Sequence, residues 1–359
     1  MAKYIIRRLA QAIPTFFGIT FLSYLLMTAA PGGPVGALIF GPGVTDEQRA
    51  LAEDRVGVND PVIVQYLRWL LGDDWMRWDS DGDGISDGAI LIPLYSTRTE
   101  GEILPPGNRH GVLRGDFGNS FFLRRPALNV LFERTPATLE LAIGSLLIGV
   151  IVGVTVGIGA AVRRGGFFDN ASRVFAVFLN AIPNFWLGLM MLLLFSSVLG
   201  WLPPGGRCRV TLDSTCPPIY ERLEYLILPT ALLSFGLIAG YSRFARASML
   251  DVIGQDYIRT ARAKGLSNRT IWFKHGARNA LIPIATFLGP AIFGLLSGAV
   301  VTERVFTWPG IGNVALTAVS QRDFPVVMAV TIYASMATIL GYLMSDILYA
   351  IIDPRVRLD

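Results

Sequence analysis

Apolar positions in this chain run in long stretches separated by polar segments: Leu9 to Ala30, Leu139 to Val162, Val174 to Gly200, Leu226 to Tyr241 with a polar extension, Ala280 to Val301, and Val326 to Ile352. A bilayer crossing takes about 20 residues, and lipid gives backbone N–H and C=O groups no partners, so each stretch is predicted to be a spanning helix. The expected fold is an all-α membrane protein with six transmembrane helices. A composition of 52% hydrophobic and 16% charged residues agrees. The first stretch has the basic start of a signal peptide, but its core is too long and Pro31-Gly32-Gly33-Pro34 is not a small-x-small cleavage site, so it reads as an uncleaved span.

Charge orients the spans. Sixteen Lys and Arg lie in the N-terminus, the 163–173 turn, the 241–279 loop and the C-terminus, against five (Arg207, Arg209, Arg222, Arg304, Arg322) in the opposite short loops. The positive-inside rule places both termini in the cytoplasm. Three regions follow: residues 1–30 with the first span, an extracytoplasmic segment 31–138 carrying ten Arg against fifteen Asp and Glu, and a five-span core 139–359.

Several chemistries are excluded. The three lysines, Lys3, Lys264 and Lys274, are in no Gly-Lys-Ser/Thr triplet, so the chain encodes no P-loop. Two histidines and two cysteines are too few and too scattered for a catalytic zinc site, and no G-x-S-x-G elbow occurs. No catalytic residues are predicted and the chain is not expected to be an enzyme.

The loop 241–279 carries a net charge of +6, with Met249, Leu250, Ile253 and Tyr257 at helical spacing, a break at Gly265, and Ser267 as N-cap of a second short helix. Such a unit could bind anionic headgroups or dock a cytoplasmic partner. Here the sequence resembles the permease subunits of binding-protein-dependent ABC importers of the dipeptide, oligopeptide and nickel type. In that family two short coupling helices around a glycine insert into the ATPase. Gly265 matches the glycine, and Arg259-Thr260-Ala261 stands in the place of Glu-Ala-Ala. The resemblance makes Asp256, Tyr257, Arg259, Thr260, Ala261, Ala263, Lys264, Gly265 and Leu266 the candidate ATPase-coupling residues.

Other landmarks of that family follow in order: Ile5-Ile6-Arg7-Arg8-Leu9, Arg134 through Glu140, Ile182-Pro183-Asn184-Phe185-Trp186, Val305 through Gly312, Arg322-Asp323-Phe324-Pro325, and Asp346 to Arg355. Pro31-Gly32-Gly33-Pro34 departs from the usual Pro-Gly-Asp-Pro. The resemblance implies the type I importer permease fold with an external domain after the first helix. It also implies a second homologous permease completing a heterodimer, two cytoplasmic ATPase subunits that hydrolyse the ATP, and an extracytoplasmic solute-binding protein. The setting is a bacterial or archaeal plasma membrane, with membrane lipid but no nucleic acid as partner. Short peptides are the implied cargo, with nickel or other small solutes as alternatives; a secondary transporter is the rival from another class.

Asn180, Pro183 and Asn184 put polar groups and a missing N–H inside a span, which fits either a translocation lining or a kink satisfied by neighbouring helices. Asp346, also within a span, is expected either to face a partner or to snorkel. In the outer segment an extra stretch, about 73–111, contains Asp79, Asp81, Asp83, Ile85 and Asp87, spaced as oxygen ligands around a calcium ion. Ile90 stands where an EF-hand has its Glu, and the alternative is a solvated Asp/Gly turn. No cofactor is expected in the core. Cys208 and Cys216 share one outer loop and are expected to form a disulfide, free thiols being the alternative.

Overall fold

The computed structural model describes residues 2–30, 45, 61–72, 110–209 and 216–352. Among them there are helices and one isolated antiparallel bridge, Asn119 to Pro126, but no strands. The candidate calcium residues Asp79, Asp81, Asp83, Ile85 and Asp87 lie outside the described residues, as do Pro31 to Pro34 and Asp353 to Arg355.

In chain order the helices are α1 (Ala2–Ala29), α2 (Val62–Leu71), α3 (Ala127–Val162), α4 (Phe167–Ala181) and α5 (Asn184–Met191), which runs on as a π-helical turn to Val198. There follow α6 (Leu223–Ile253), α7 (Asp256–Ala263), α8 (Asn268–Thr270), a π-helical turn Ile271–Gly276, α9 (Ala277–Ala280) and α10 (Ile282–Leu296). The last are α11 (Val300–Val305), α12 (Ile311–Gln321) and α13 (Phe324–Ile352). Among the described residues five stretches are long and apolar enough to cross a membrane: Ile6–Ala29, Ala127–Val162, Leu223–Ile253, Phe287–Val305 and Phe324–Leu348.

Residues 1–10, 134–313 and 336–359 form one compact unit; residues 11–133 and 314–335 form the other. In the first, α3 and α6 approach closely because α3 carries glycine every fourth residue. A Cβ on Gly149 would sit 2.4 Å from Leu237 Cβ, and one on Gly157 would sit 2.4 Å from the Ser242 carbonyl. Small residues at this spacing let helix backbones meet in lipid.

Here the expectation of one continuous third span is corrected. Residues 167–181 and 184–198 form two helices bent by 98°. Ile182 and Pro183 are extended between them, and Pro183 has no N–H to carry the helix through. Taken together, the two helices are long and apolar enough for one broken span. It leaves from the end of α3 at Val162, where Asp169 pairs with Arg246, and arrives at a loop whose Arg207 bonds Glu140, about 33 Å back along α3 from Val162 at 1.5 Å per residue. Counted as one span, it brings the candidate crossings among the described residues to six.

Two other readings change. The span expected over Ala280 to Val301 is interrupted after α10, where Gly298 takes φ +106 and a Cβ would meet Gly312 N at 2.5 Å. The helical spacing of Met249, Leu250, Ile253 and Tyr257 does not run through one helix, because α6 ends at Ile253 and Gln255 is extended. This resets the register, so Ile258 is fully buried while Tyr257 is 38% exposed.

In the second unit, Tyr24, Tyr66, Leu70, Phe324 and Met328 form a core. Tyr24 meets Tyr66, Trp69 and Phe324 at ring-centroid distances of 5.4–5.7 Å, and Thr20 and Tyr66 share a hydrogen bond of 2.8 Å. Asp323 accepts from Ser120 Oγ at 2.5 Å and from the Phe121 N–H at 3.2 Å, holding the 119–126 turn.

Candidate functional site

The coupling loop is seated by an apolar cluster. Ile258 and Ala261 of α7 insert among Ile158, Ala161, Met249, Val252, Ile271, Ala277 and Ala280. Ala261, one of the candidate coupling residues, is thus turned into the body. Asp256, Tyr257, Arg259, Thr260, Ala263, Lys264, Gly265 and Leu266 are all exposed. Arg259 lies 3.6 Å from Asp256 on the same exposed side.

The corner between the two short helices is made by Gly265 at φ +71. Its N–H donates to the Arg262 carbonyl at 2.9 Å, and the Leu266 N–H donates to the Ala261 carbonyl at 3.4 Å, an arrangement of the kind that closes helices through a left-handed residue. A Cβ on Gly265 would meet nothing within 4 Å, so the demand there is conformational. Ser267 Oγ then accepts from the Thr270 N–H at 3.4 Å as N-cap. Arg262 stacks over Trp272 at 4.8 Å and ties the two limbs together. The result is a fixed knuckle that carries basic groups together with exposed Tyr257, Leu266 and Phe273, a mixed surface suited to a protein partner.

Asn180, Pro183 and Asn184 come together at the 98° corner, and all three are exposed. Asn180 Nδ2 donates to the Ala176 carbonyl at 3.1 Å, so part of its polarity is spent on its own helix. Asp346 on α13 pairs with Arg8 on α1 at 3.0 Å, a partner within this chain.

At Glu140 of α3 an ion cluster holds the loop after Trp201. Arg207 donates to Glu140 from Nε at 3.1 Å and Nη2 at 2.7 Å; Arg222 donates from Nη1 at 2.9 Å and Nη2 at 2.6 Å. Two forked guanidinium groups on one carboxylate give fixed geometry as well as attraction. A disulfide joins Cys208 to Cys216, with 5.6 Å between Cα atoms, next to Arg207. The Gly206 N–H donates to the Phe306 carbonyl at 2.8 Å, setting the loop on the segment after α11.

That segment is built around a residue the sequence reading passed over. Glu303 is fully buried. Its Oε2 accepts the Asn313 N–H at 2.8 Å and its Oε1 accepts the Thr138 hydroxyl at 3.1 Å, while Thr138 Oγ1 accepts the Ile311 N–H at 2.8 Å. Trp308 Nε1 donates to the Ala137 carbonyl at 2.8 Å. A Cβ on Gly310 would fall 2.5 Å from the Glu303 carboxyl carbon, which explains the glycine after Trp308-Pro309. The available signal was a carboxylate beside Phe306-Thr307-Trp308-Pro309-Gly310, where a buried charge needs a backbone wrap. The described residues contain no group of three His, Cys, Asp or Glu placed to hold a metal ion.

Comparisons with known proteins agree with this architecture. The family described as binding-protein-dependent transport system inner membrane component matches residues 153–358, and its N-terminal component matches residues 1–77. An oligopeptide transport system permease protein of Bacillus subtilis is 38% identical over 99% of this chain and 100% of its own length. A di/tripeptide transport system permease protein of Pseudomonas aeruginosa is 33% identical over 99% of each chain, and a glutathione transport system permease protein of Salmonella paratyphi A is 34% identical over 99% of each. With half its length in the family's core match and relatives aligned end to end, this multi-pass membrane chain belongs to the family of binding-protein-dependent transport system inner membrane components.

Proposed function

We infer that the chain is a permease subunit of an ATP-driven importer of short peptides. The observation that carries this is the end-to-end alignment with the Bacillus oligopeptide permease at 38% identity. The knuckle around Gly265 supports it, because a chain without a P-loop needs a surface through which ATP hydrolysis elsewhere can act. In this reading the chain forms half of a pathway completed by a second homologous permease, with two ATPase subunits on the cytoplasmic side and a solute-binding protein outside. ATPase closure draws the knuckles of the two permeases together and turns the pathway outward to receive cargo. Asp256, Tyr257, Arg259, Thr260, Ala263, Lys264, Gly265 and Leu266 make the contact, with Ile258 and Ala261 as the seat. Asn180, Pro183 and Asn184 line the pathway at the corner of the broken span. The glutathione permease relative makes glutathione-like peptides a second cargo class.

Co-purification from native membrane followed by mass spectrometry tests the reading. The expected companions are a second six-span chain, P-loop ATPases and a binding protein carrying peptides. A homo-oligomer without ATPases would overturn it.

A further inference from the structure

The turn between α3 and α4 is a rigid, basic, aromatic projection that the transport reading does not use. The chain passes through Arg163-Arg164-Gly165-Gly166 and meets Phe167 and Phe168 directly. Gly165 takes φ +76 with open space around a would-be Cβ. Its N–H donates to Asp169 Oδ2 at 2.9 Å, and the Gly166 N–H donates to the Arg163 carbonyl at 2.9 Å. Asp169 is 1% exposed, and Arg246 reaches both of its oxygens, at 2.5 and 2.8 Å. The only carboxylate of the turn is therefore consumed in holding it.

Arg163 and Arg164 are exposed and form no ion pair among the described residues; Arg173 adds a third exposed positive charge. Arg163 packs over the Phe168 ring at 5.4 Å, which leaves Phe167 90% exposed on a turn that cannot relax to hide it.

We propose that this turn is an anionic-lipid anchor: Arg163, Arg164 and Arg173 take lipid phosphates while Phe167 enters the acyl boundary beside them. Depth supports a lipid occupant over a protein one. The turn joins two apolar helices directly, so it sits where the hydrocarbon ends, the level at which aromatic rings and arginines partition. Its contact with α6 is at Arg246, seven residues before the end of that helix at Ile253. Charge complementarity selects anionic over zwitterionic headgroups.

The test uses the full chain in nanodiscs of phosphatidylcholine alone or with phosphatidylglycerol. Native mass spectrometry is expected to show retained phosphatidylglycerol on the wild type. In R163Q/R164Q its apparent affinity falls on the order of five-fold for each arginine removed. Neither side chain forms an ion pair among the described residues and R163Q gives up one exposed contact with Phe168, so the variant's unfolding midpoint in phosphatidylcholine stays close to the wild-type value. A photoreactive benzoylphenylalanine at position 167 is expected to label lipid in the assembled transporter. Unchanged phosphatidylglycerol retention in R163Q/R164Q, or a label that goes to another protein chain, would overturn the proposal.

Discussion

At Gly265 the backbone has φ +71 and a side chain would have free space, so only conformation limits substitution. A β-branched residue there costs about 1–2 kcal/mol for the left-handed geometry, whereas asparagine adopts it readily. We expect G265V to insert and express normally but to lose most ATP-driven uptake, and G265N to stay near wild type, measured in proteoliposomes with the partner subunits. Normal uptake by G265V would remove the knuckle from the coupling path. Equal failure of both variants would mean that the lack of a side chain, not the left-handed turn, is what the position requires. Gly265 and Ser267 were legible from sequence because each announces a backbone need. Glu303 was not, since its role depends on Thr138 and Asn313, which are remote or unremarkable in sequence and meet it only in the folded chain.

Among the elements, the glycines of α3 and α6 look alike in sequence and differ in the fold. A methyl on Gly157 would lie 2.4 Å from the Ser242 carbonyl and 2.7 Å from Ala245 Cβ, whereas one on Gly240 meets nothing within 4 Å. G157A is therefore expected to push the helices apart, costing about 1–3 kcal/mol as an overpacked contact. G240A is expected to be neutral or to stabilise by about 0.4–1 kcal/mol through loss of unfolded-state freedom. Thermal unfolding in detergent checks both; equal midpoints would show that the α3–α6 contact is slack. The spans themselves were readable because lipid forces long apolar helices. What the pattern hid were the breaks. Pro183 signalled a kink but not a 98° turn, and the single residue Gln255, extended after Gly254, breaks the helical spacing so that Ile258 is buried and Tyr257 stays outside. Apolar spacing presumes one continuous helix, and a one-residue reset defeats it.

For the whole molecule, sidedness follows from counting crossings, and the count depends on the bent pair. Were residues 167–198 re-entrant, the loop after Trp201 would return to the side of Arg163, and every later loop would exchange sides. The bonds from Arg207 and Arg222 to Glu140 set that loop about 33 Å back along α3 from Val162, which favours a single crossing and, with it, the expected placing of the knuckle on the side of both termini. A green fluorescent protein fused after Asp359 or inserted at Gly254 is expected to fluoresce. Alkaline phosphatase fused after Arg209 is expected to be active, because it folds only once exported. Fluorescence from the C-terminal fusion together with an inactive phosphatase at Arg209 would make the bent pair re-entrant. An inverted pattern throughout would put the Gly265 knuckle outside, where no ATP-hydrolysing partner could reach it.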